Sequence, residues 1–407
     1  LKRRNVLLLV NQLHTGGAQK VVANLSLNLS DNYNVFLVIY NDTDRVVFDY
    51  SGELIKLSLP FAKNTHLNSF YKRAVRFWSL IRQLRKIKQK HSIDVSISFM
   101  EASNIANLFS KRKERLILSV RSYLSHEFAD HPRLRIFKSF IKRWYNKADY
   151  TIVPSQLLKQ DLVDNFGVPE SKISIIYNFT DFQLVQKLSG ENIPQHHEAI
   201  FKTGTVLINV GRLTNPKAQW LLIPVIAKLK KEFNIKLMIL GEGTLKEKII
   251  ETAHKAGLRI YIEGESDVAS INDNDIFLIG FIKNPFPYLQ RSKIFIKSSI
   301  YEGFPNVIIE AMTCALPIIS SDCESGPREI LSPFSDISRI TNKLEEGEYG
   351  ILVPPGEKYP DAASEAVKAL LTDPAKMNHY TIMSQKRSLD FGKKEIIANW
   401  MRIIDEQ

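Results

Sequence analysis

Short apolar runs alternate with amphipathic stretches along this chain, in two series. The first series holds "NVLLLVN", "NVFLVIY", "DVSISFM", "RLILSV", "DYTIVPS" and "SIIYN". After the first run, Val21, Val22, Leu25 and Leu29 recur at helical spacing. Runs apolar throughout fit strands buried on both faces, and regular strand–helix alternation implies a parallel sheet covered on both sides. The alternation lapses between about 183 and 203, where "QLVQKLSGENIPQHHEAIFKTG" is polar, holds Gly and Pro and lacks apolar periodicity. It restarts with "TVLINVG", "AQWLLIPVIAKLKKEF", "IKLMILGEG", a helix from Leu245 to about Ala256, "IFLIGF", "KIFIKSS" and "LPIISSD", and closes on two helical stretches. The expected architecture is α/β, with two similar halves in tandem, and 407 residues suit two domains better than one core. The boundaries read as 1–185, a linker at 186–203, 204–385, and a C-terminal helix at 386–407 expected to pack back toward the first domain. Paired halves of this kind bind ligands in the cleft between them, at the carboxyl ends of their strands.

The formal net charge of +12 points to an anionic partner: nucleic acid, a phosphorylated small molecule or an acidic membrane surface. The two cysteines, Cys314 and Cys323, form neither a disulfide framework nor a zinc pattern, which fits a reducing cytoplasm. The nine histidines are scattered, so no metal cluster is expected. The apolar run Val6 to Val10 is too short for a signal peptide, and no stretch approaches a membrane span.

Four loops carry candidate chemistry. In "HTGGAQK", Gly16 and Gly17 stand at a strand-to-helix turn, where a phosphate can approach the backbone and the helix N-terminus favours negative charge. A plain tight turn is the competing account. In "NVGRLTNPKAQW", Arg212 and Lys217 follow a strand end and can neutralise a diphosphate, against the commoner fate of solvated loop cations. In "LIGFIKNPFPYL", Phe281, Ile282 and Lys283 can read a planar base through main-chain groups and one ring, or can simply connect two elements. In "YEGFPNVIIEAM", Gly303, Phe304 and Pro305 form a turn, Asn306 is placed to cap a helix, and Val307 opens an apolar run containing Glu310. The helix's first amides can take a phosphate. Glu310 can accept both hydroxyls of a ribose, and Glu302 lies nearer the transferred group. A glutamate near a helix start is mildly stabilising, by about 0.3–1 kcal/mol. That accounts for its position but not for its apolar surroundings, which call for a ligand or cationic partner. "SSDCESGPREIL" reads as a neighbouring wall of the same site or as a plain helix start.

Glu302 and Glu310 form an E-x7-E pattern that resembles the signature of retaining GT-B glycosyltransferases of family 4. The similarity runs through "TGGAQKVVANL", "IVPSQ", "IIYNFTD", "VGRLTNPKAQW", "LGEGTLKEKI", "GFIKNPFPYL", "SSIYEGFPNVIIEAMTCALPIISSDCESGPREIL" and "GILVPPGE", nearly the whole chain. The resemblance implies two Rossmann-like domains facing each other across a cleft. It implies that Glu310 holds the ribose of a nucleotide-diphosphate sugar, that Glu302 contacts the sugar, and that Arg212 and Lys217 grip the diphosphate. The main chain of Phe304 to Val307 and Gly17 would complete the cradle, and Phe281–Lys283 would hold the base. Neither a cofactor nor a divalent metal is implied, the donor being a substrate. Two departures stand out. Lys217 is followed by Ala218 where many relatives have glycine, and Arg121 stands where many have histidine. Arg121 is thereby open to meeting the acceptor or the donor, and Arg121 and Asn178 are the candidates for the acceptor side. The wording resembles bacterial envelope-glycan enzymes using UDP-hexose or UDP-N-acetylhexosamine.

Residues 71–90 carry eight basic residues and no acid, with Val75, Trp78, Ile81, Leu84 and Ile87 as an apolar stripe, and 133–147 repeats the recipe. Basic helices bearing aromatics suit an anionic membrane surface. The expectation is a glycan acceptor, lipid-linked, at the cytoplasmic leaflet, with the protein peripheral on the inner face. Amphipathic helices with solvated basic faces are the alternative. Three rival functions remain: a metal-dependent transferase using the D-x-D at Asp42 to Asp44, a nucleotide-sugar epimerase or hydrolase, and a nucleic-acid-binding protein, for which no recognised module exists.

Overall fold

The computed structural model describes residues 3–14, 16–41, 44–61, 70–127 and 134–406, and excludes the side chains of 134–137. Asp42 of the D-x-D stretch and Arg133 of the second basic segment lie outside these residues. The chain divides into two units, Leu1–Asn178 with Lys394–Gln407, and Phe179–Lys393.

The first unit holds β1 (Asn5–Val10), β2 (Asn34–Ile39), β3 (Glu53–Lys56), β4 (Val95–Phe99), β5 (Arg115–Ser119), β6 (Tyr150–Val153) and β7 (Ile173–Ile175). They form a parallel sheet in the order β3-β2-β1-β4-β5-β6-β7. Val6 to Val10 are fully buried, as a strand covered on both faces requires. The order reverses between β1 and β4, so their carboxyl ends flank a crevice. The C-terminal helix Lys393–Asp405 completes this unit by burying Trp400 beside Phe99, ring centroids 6.0 Å apart.

The second unit holds β8 (Thr205–Val210), β9 (Ile235–Leu240), β10 (Ile260–Ile262), β11 (Ile276–Gly280), β12 (Ile294–Lys297), β13 (Ile318–Ser321), β14 (Glu345–Glu346) and β15 (Ile351–Val353). Their order is β10-β11-β9-β8-β12-β13-β15-β14, parallel except for the β14–β15 pair. Here the switch point lies between β8 and β12. The core joins Leu207, Leu237, Ile296 and Ile319 of the sheet to Leu222, Ile226, Val367 and Leu370 of covering helices.

Several boundaries differ from expectation. The first unit ends at Asn178, not 185, and the second runs to Lys393, not 385. Residues 186–203 are not a linker: helices Phe182–Ser189 and Gln195–Lys202 occupy most of them, within the second unit. Their apolar residues are few, yet Val185, Ile193, His197 and Ile200 are buried, and Asp181 caps the first helix through the Leu184 amide at 3.2 Å. Two helices of eight residues leave too little sequence for periodicity to register.

Candidate active site

The second unit's switch point assembles the densest charge cluster among the sequence-predicted residues. The β8 loop and the β12 end are laced together. Ile300 N donates to Pro216 O (2.8 Å), and Ser298 Oγ donates to the carbonyls of Lys217 and Ala218 (both 3.0 Å). Ala218 adopts a left-handed conformation (φ 48°), the geometry that a glycine here would take without cost. This turn aims Lys217 at Glu302, with Nζ 2.6 Å from both carboxylate oxygens. Lys297, the last residue of β12, also donates to Glu302 Oε1 and to Ser299 Oγ, and Ser299 Oγ lies 2.7 Å from the same carboxylate oxygen. Burial alone would raise the Glu302 carboxyl; the charges of Lys217 and Lys297 and their hydrogen bonds outweigh it and hold it at about 2. Burial also lowers the Lys217 ammonium, partly offset by Glu302. Glu302 is thus a poorly basic carboxylate, ionised at neutral pH. Two cations on one anion leave positive charge to spare.

Lys297 and Ser299 were not anticipated from sequence. The available signal was a lysine ending an otherwise apolar strand in "KIFIKSS", five residues before Glu302.

The turn after Glu302 leads into the helix Asn306–Thr313. Asn306 is its first residue rather than its cap; Pro305 holds the cap position and makes no side-chain cap hydrogen bond. Glu310 is buried with Ile308, Ile309, Ala311 and Met312. Burial, then the Glu310 charge, push the neighbouring Cys314 thiol up to about 12. The "SSDCESG" segment does form an adjoining wall. Ser325 Oγ donates to Gly303 O (2.6 Å), and Glu302 N lies 3.3 Å from Glu324 O. Gly326 (φ 95°) packs so closely that a Cβ there would meet Pro305 Cδ at 2.4 Å. Arg328 is committed elsewhere, buried between Asp322 and Glu345.

Arg212 is exposed, with no ion pair among the described residues. Phe281 and Lys283 are exposed and Ile282 half-buried, while the Phe281 amide lies 3.4 Å from Glu242 Oε1. Glu242 is a further neighbour that sequence reasoning passed over.

In the first unit, Gly16 (φ 107°) precedes the helix Gly17–Leu29, at the carboxyl end of β1. Gln19, one turn in, donates to Asn11 Oδ1 at 3.0 Å and fixes the turn to the strand end. Arg121 and Asn178 are brought together: Nη1 donates to Asn178 Oδ1 and Nε to Ser119 Oγ, both at 2.7 Å. The guanidinium lies 5.2 Å from the Phe99 ring centroid and 5.9 Å from that of Trp400. Burial pulls it down to about 9, and its Nη2 is buried without a hydrogen-bond partner.

The basic helix Phe70–Lys90 is only partly a solvated face. Lys88 is buried, 2.7 Å from Glu114, and Arg76 donates to Asn41 Oδ1 (2.6 Å). Arg73, Arg82, Arg85, Lys86 and Lys90 remain exposed, as do Phe70, Tyr71 and Trp78. A groove of about 410 Å³ lies between Trp78, Arg82, Arg85, Lys86 and Arg112. Phe109 joins this helix to the second basic one through Trp78 (6.5 Å) and Trp144 (4.6 Å). Among the described residues no helix is long and apolar enough to cross a membrane.

Two Rossmann-like units, one with cations gathered at its switch point, define a GT-B glycosyltransferase. Residues 15–184 match the family described as Glycosyltransferase Family 4, and residues 204–373 match Glycosyl transferases group 1. The chain is 32% identical to an uncharacterized glycosyltransferase of Methanocaldococcus jannaschii, over 82% of this chain and 83% of that one. It is 26% identical to an N-acetylgalactosamine-N,N'-diacetylbacillosaminyl-diphospho-undecaprenol 4-alpha-N-acetylgalactosaminyltransferase of Campylobacter jejuni, over 97% and 98%. Its fold matches the Anabaena protein HepE, solved with UDP-glucose, at a TM-score of 0.73, 16% identity and 99% and 100% coverage. The chain belongs to family 4 of the glycosyltransferases.

Proposed function

We propose that this enzyme transfers a sugar, with retention of configuration, from a UDP-hexose or UDP-N-acetylhexosamine to a lipid-linked glycan at an anionic membrane surface. The observation that carries the donor half is the convergence of Lys217 and Lys297 on Glu302 beside the helix start at Asn306. Its surplus positive charge and the partial positive charge of a helix start suit a diphosphate. Arg212, exposed in the loop after β8, adds a further cation. Glu310 takes the ribose diol, and the main chain of Phe281–Lys283 takes the base. Arg121 and Asn178 serve the acceptor side.

Glu302, held at about 2, is too weak a base to accept a proton from an alcohol. It fixes the lysines and contacts the sugar. The bond from the anomeric carbon to the β-phosphate oxygen breaks, its electron pair leaving with the diphosphate. The acceptor oxygen bonds to the same face of that carbon, and its proton passes to the departing phosphate oxygen. The transition state has oxocarbenium character, and cations stabilise the leaving group. Neither a metal nor a cofactor enters this chemistry.

Support for the acceptor comes from the Campylobacter jejuni relative, named for a diphospho-undecaprenol substrate, and from the exposed basic and aromatic residues of Phe70–Lys90. A thermal-shift screen of nucleotide sugars tests the donor assignment. A UDP-sugar should raise the melting temperature most; no response to any nucleotide sugar would refute it. NMR of the product's anomeric configuration tests retention, and turnover in chelator tests metal independence.

A further inference from the structure

The structure gathers three side chains of metal-ligating type that the histidine spacing conceals. His196 and His197 lie in the first turn of helix Gln195–Lys202, and Glu263 directly follows β10 at the sheet's edge. His196 Nε2 is 3.3 Å from Glu263 Oε1, and His197 Nε2 is 3.0 Å from Glu263 Oε2. One ligand atom from each residue lies within 4.8 Å of the others. We propose that His196, His197 and Glu263 bind a zinc-class divalent ion that staples this helix to the edge of the second sheet.

Three observations carry the assignment. First, the ligand type is right: two imidazoles and one carboxylate are a set that zinc accepts with an open fourth position. Second, the spacing is close. Bonds of 2.0–2.1 Å in a tetrahedron separate neighbouring ligand atoms by ~3.3 Å; the two imidazole nitrogens lie 3.3 and 3.0 Å from the two oxygens of the Glu263 carboxylate, and the three ligand atoms within 4.8 Å of one another. Third, the outer contacts exist. His197 Nδ1 is 2.8 Å from the Tyr288 hydroxyl, and the Tyr261 hydroxyl donates to Glu263 Oε2 at 3.0 Å. A hydroxyl both gives and accepts, so Tyr288 can accept the Nδ1 proton once Nε2 turns its lone pair to a metal. His197 is 2% exposed, while His196 and Glu263 are open enough to admit an ion. Strands β11 and β9 separate β10 from β8, so the ion has a structural role apart from the sugar chemistry. Tyr288 also sits in helix Phe286–Arg291, just after the proposed base-reading loop, which the staple would steady.

The test uses the full chain without a histidine tag, stripped with chelator and then dialysed against a small excess of zinc. Elemental analysis should find one zinc retained per chain. The melting temperature should rise by roughly 5 °C at a hundredfold excess over Kd. His196→Ala and Glu263→Gln, both at partly exposed positions, should abolish retention and the rise. Cobalt in place of zinc should give the visible absorption of a tetrahedral site, a readout independent of folding stability. Absence of retained zinc in the wild type, or equal retention in both variants, would overturn the site and leave the trio a hydrogen-bonded tie. The donor assignment stands or falls separately, on the nucleotide-sugar screen.

Discussion

Lys217 Nζ lies 2.6 Å from both oxygens of Glu302, so a residue expected to grip phosphate is already an ion-pair partner. Glu302 holds the pair in register with Lys297, and its removal strands the buried Lys297 ammonium and the half-buried one of Lys217. Glu302→Gln should cost roughly 3–5 kcal/mol of stability. The pH dependence has a definite sign. The folded carboxyl, at about 2, lies below its ordinary 4.5, so its contribution is present above pH 4.5 and is lost as pH falls toward 2. Denaturant melts between pH 2 and 7 should show that loss in the wild type and a flatter profile in the variant.

Arg212 and Lys217 should separate under mutation, although sequence reasoning gives them one role. Arg212 is exposed and unpaired among the described residues, so Arg212→Ala should leave stability within about 0.5 kcal/mol. Turnover should fall about 10²–10³-fold if it stabilises the leaving diphosphate. Lys217→Ala should lower both turnover and melting temperature, because it also loosens Glu302. Paired kinetics and thermal melts check this; equal stability losses would contradict the geometry.

Gly326 should be intolerant of even one methyl group. Its φ of 95° disfavours any side chain, and a Cβ would overlap Pro305. Because Pro305 heads the helix proposed to take the diphosphate, Gly326→Ala should weaken donor binding more than it slows bound substrate. A rise in donor KM exceeding the fall in kcat would confirm it.

The legibility of this protein divides along physical lines. Strands such as Val6–Val10 and Val206–Ile208 announced themselves because a sheet covered on both faces needs unbroken apolar runs. Short edge elements did not: β10 and β14 span three and two residues, too few for any period to register. The switch-point loops were legible through Arg212, Lys217 and Glu302, whose residue types signal charge handling. Lys297 was hidden because a strand lysine usually reads as solvated, and only the fold reveals it 3% exposed. The His–Glu trio was hidden by sequence distance, and the helices of 182–202 by their low apolar content.

The membrane reading rests on the side chains that packing leaves over. Lys88 is spent on Glu114, and Arg76 on Asn41 and the carbonyl of Phe61, so neither should matter for docking. Arg82, Arg85 and Lys86 line the groove beside an exposed Trp78, the arrangement that attracts an anionic headgroup and buries a ring at the interface. Each basic side chain near such a surface is worth about 1 kcal/mol, so Arg82→Glu with Lys86→Glu should reduce binding to anionic vesicles by at least ~30-fold. Trp78→Ala should weaken it with little change in salt dependence, since it removes apolar contact rather than charge. Flotation with phosphatidylglycerol vesicles at physiological salt measures both. If the wild type does not float, the basic helix is a solvated face and the acceptor must be met without it.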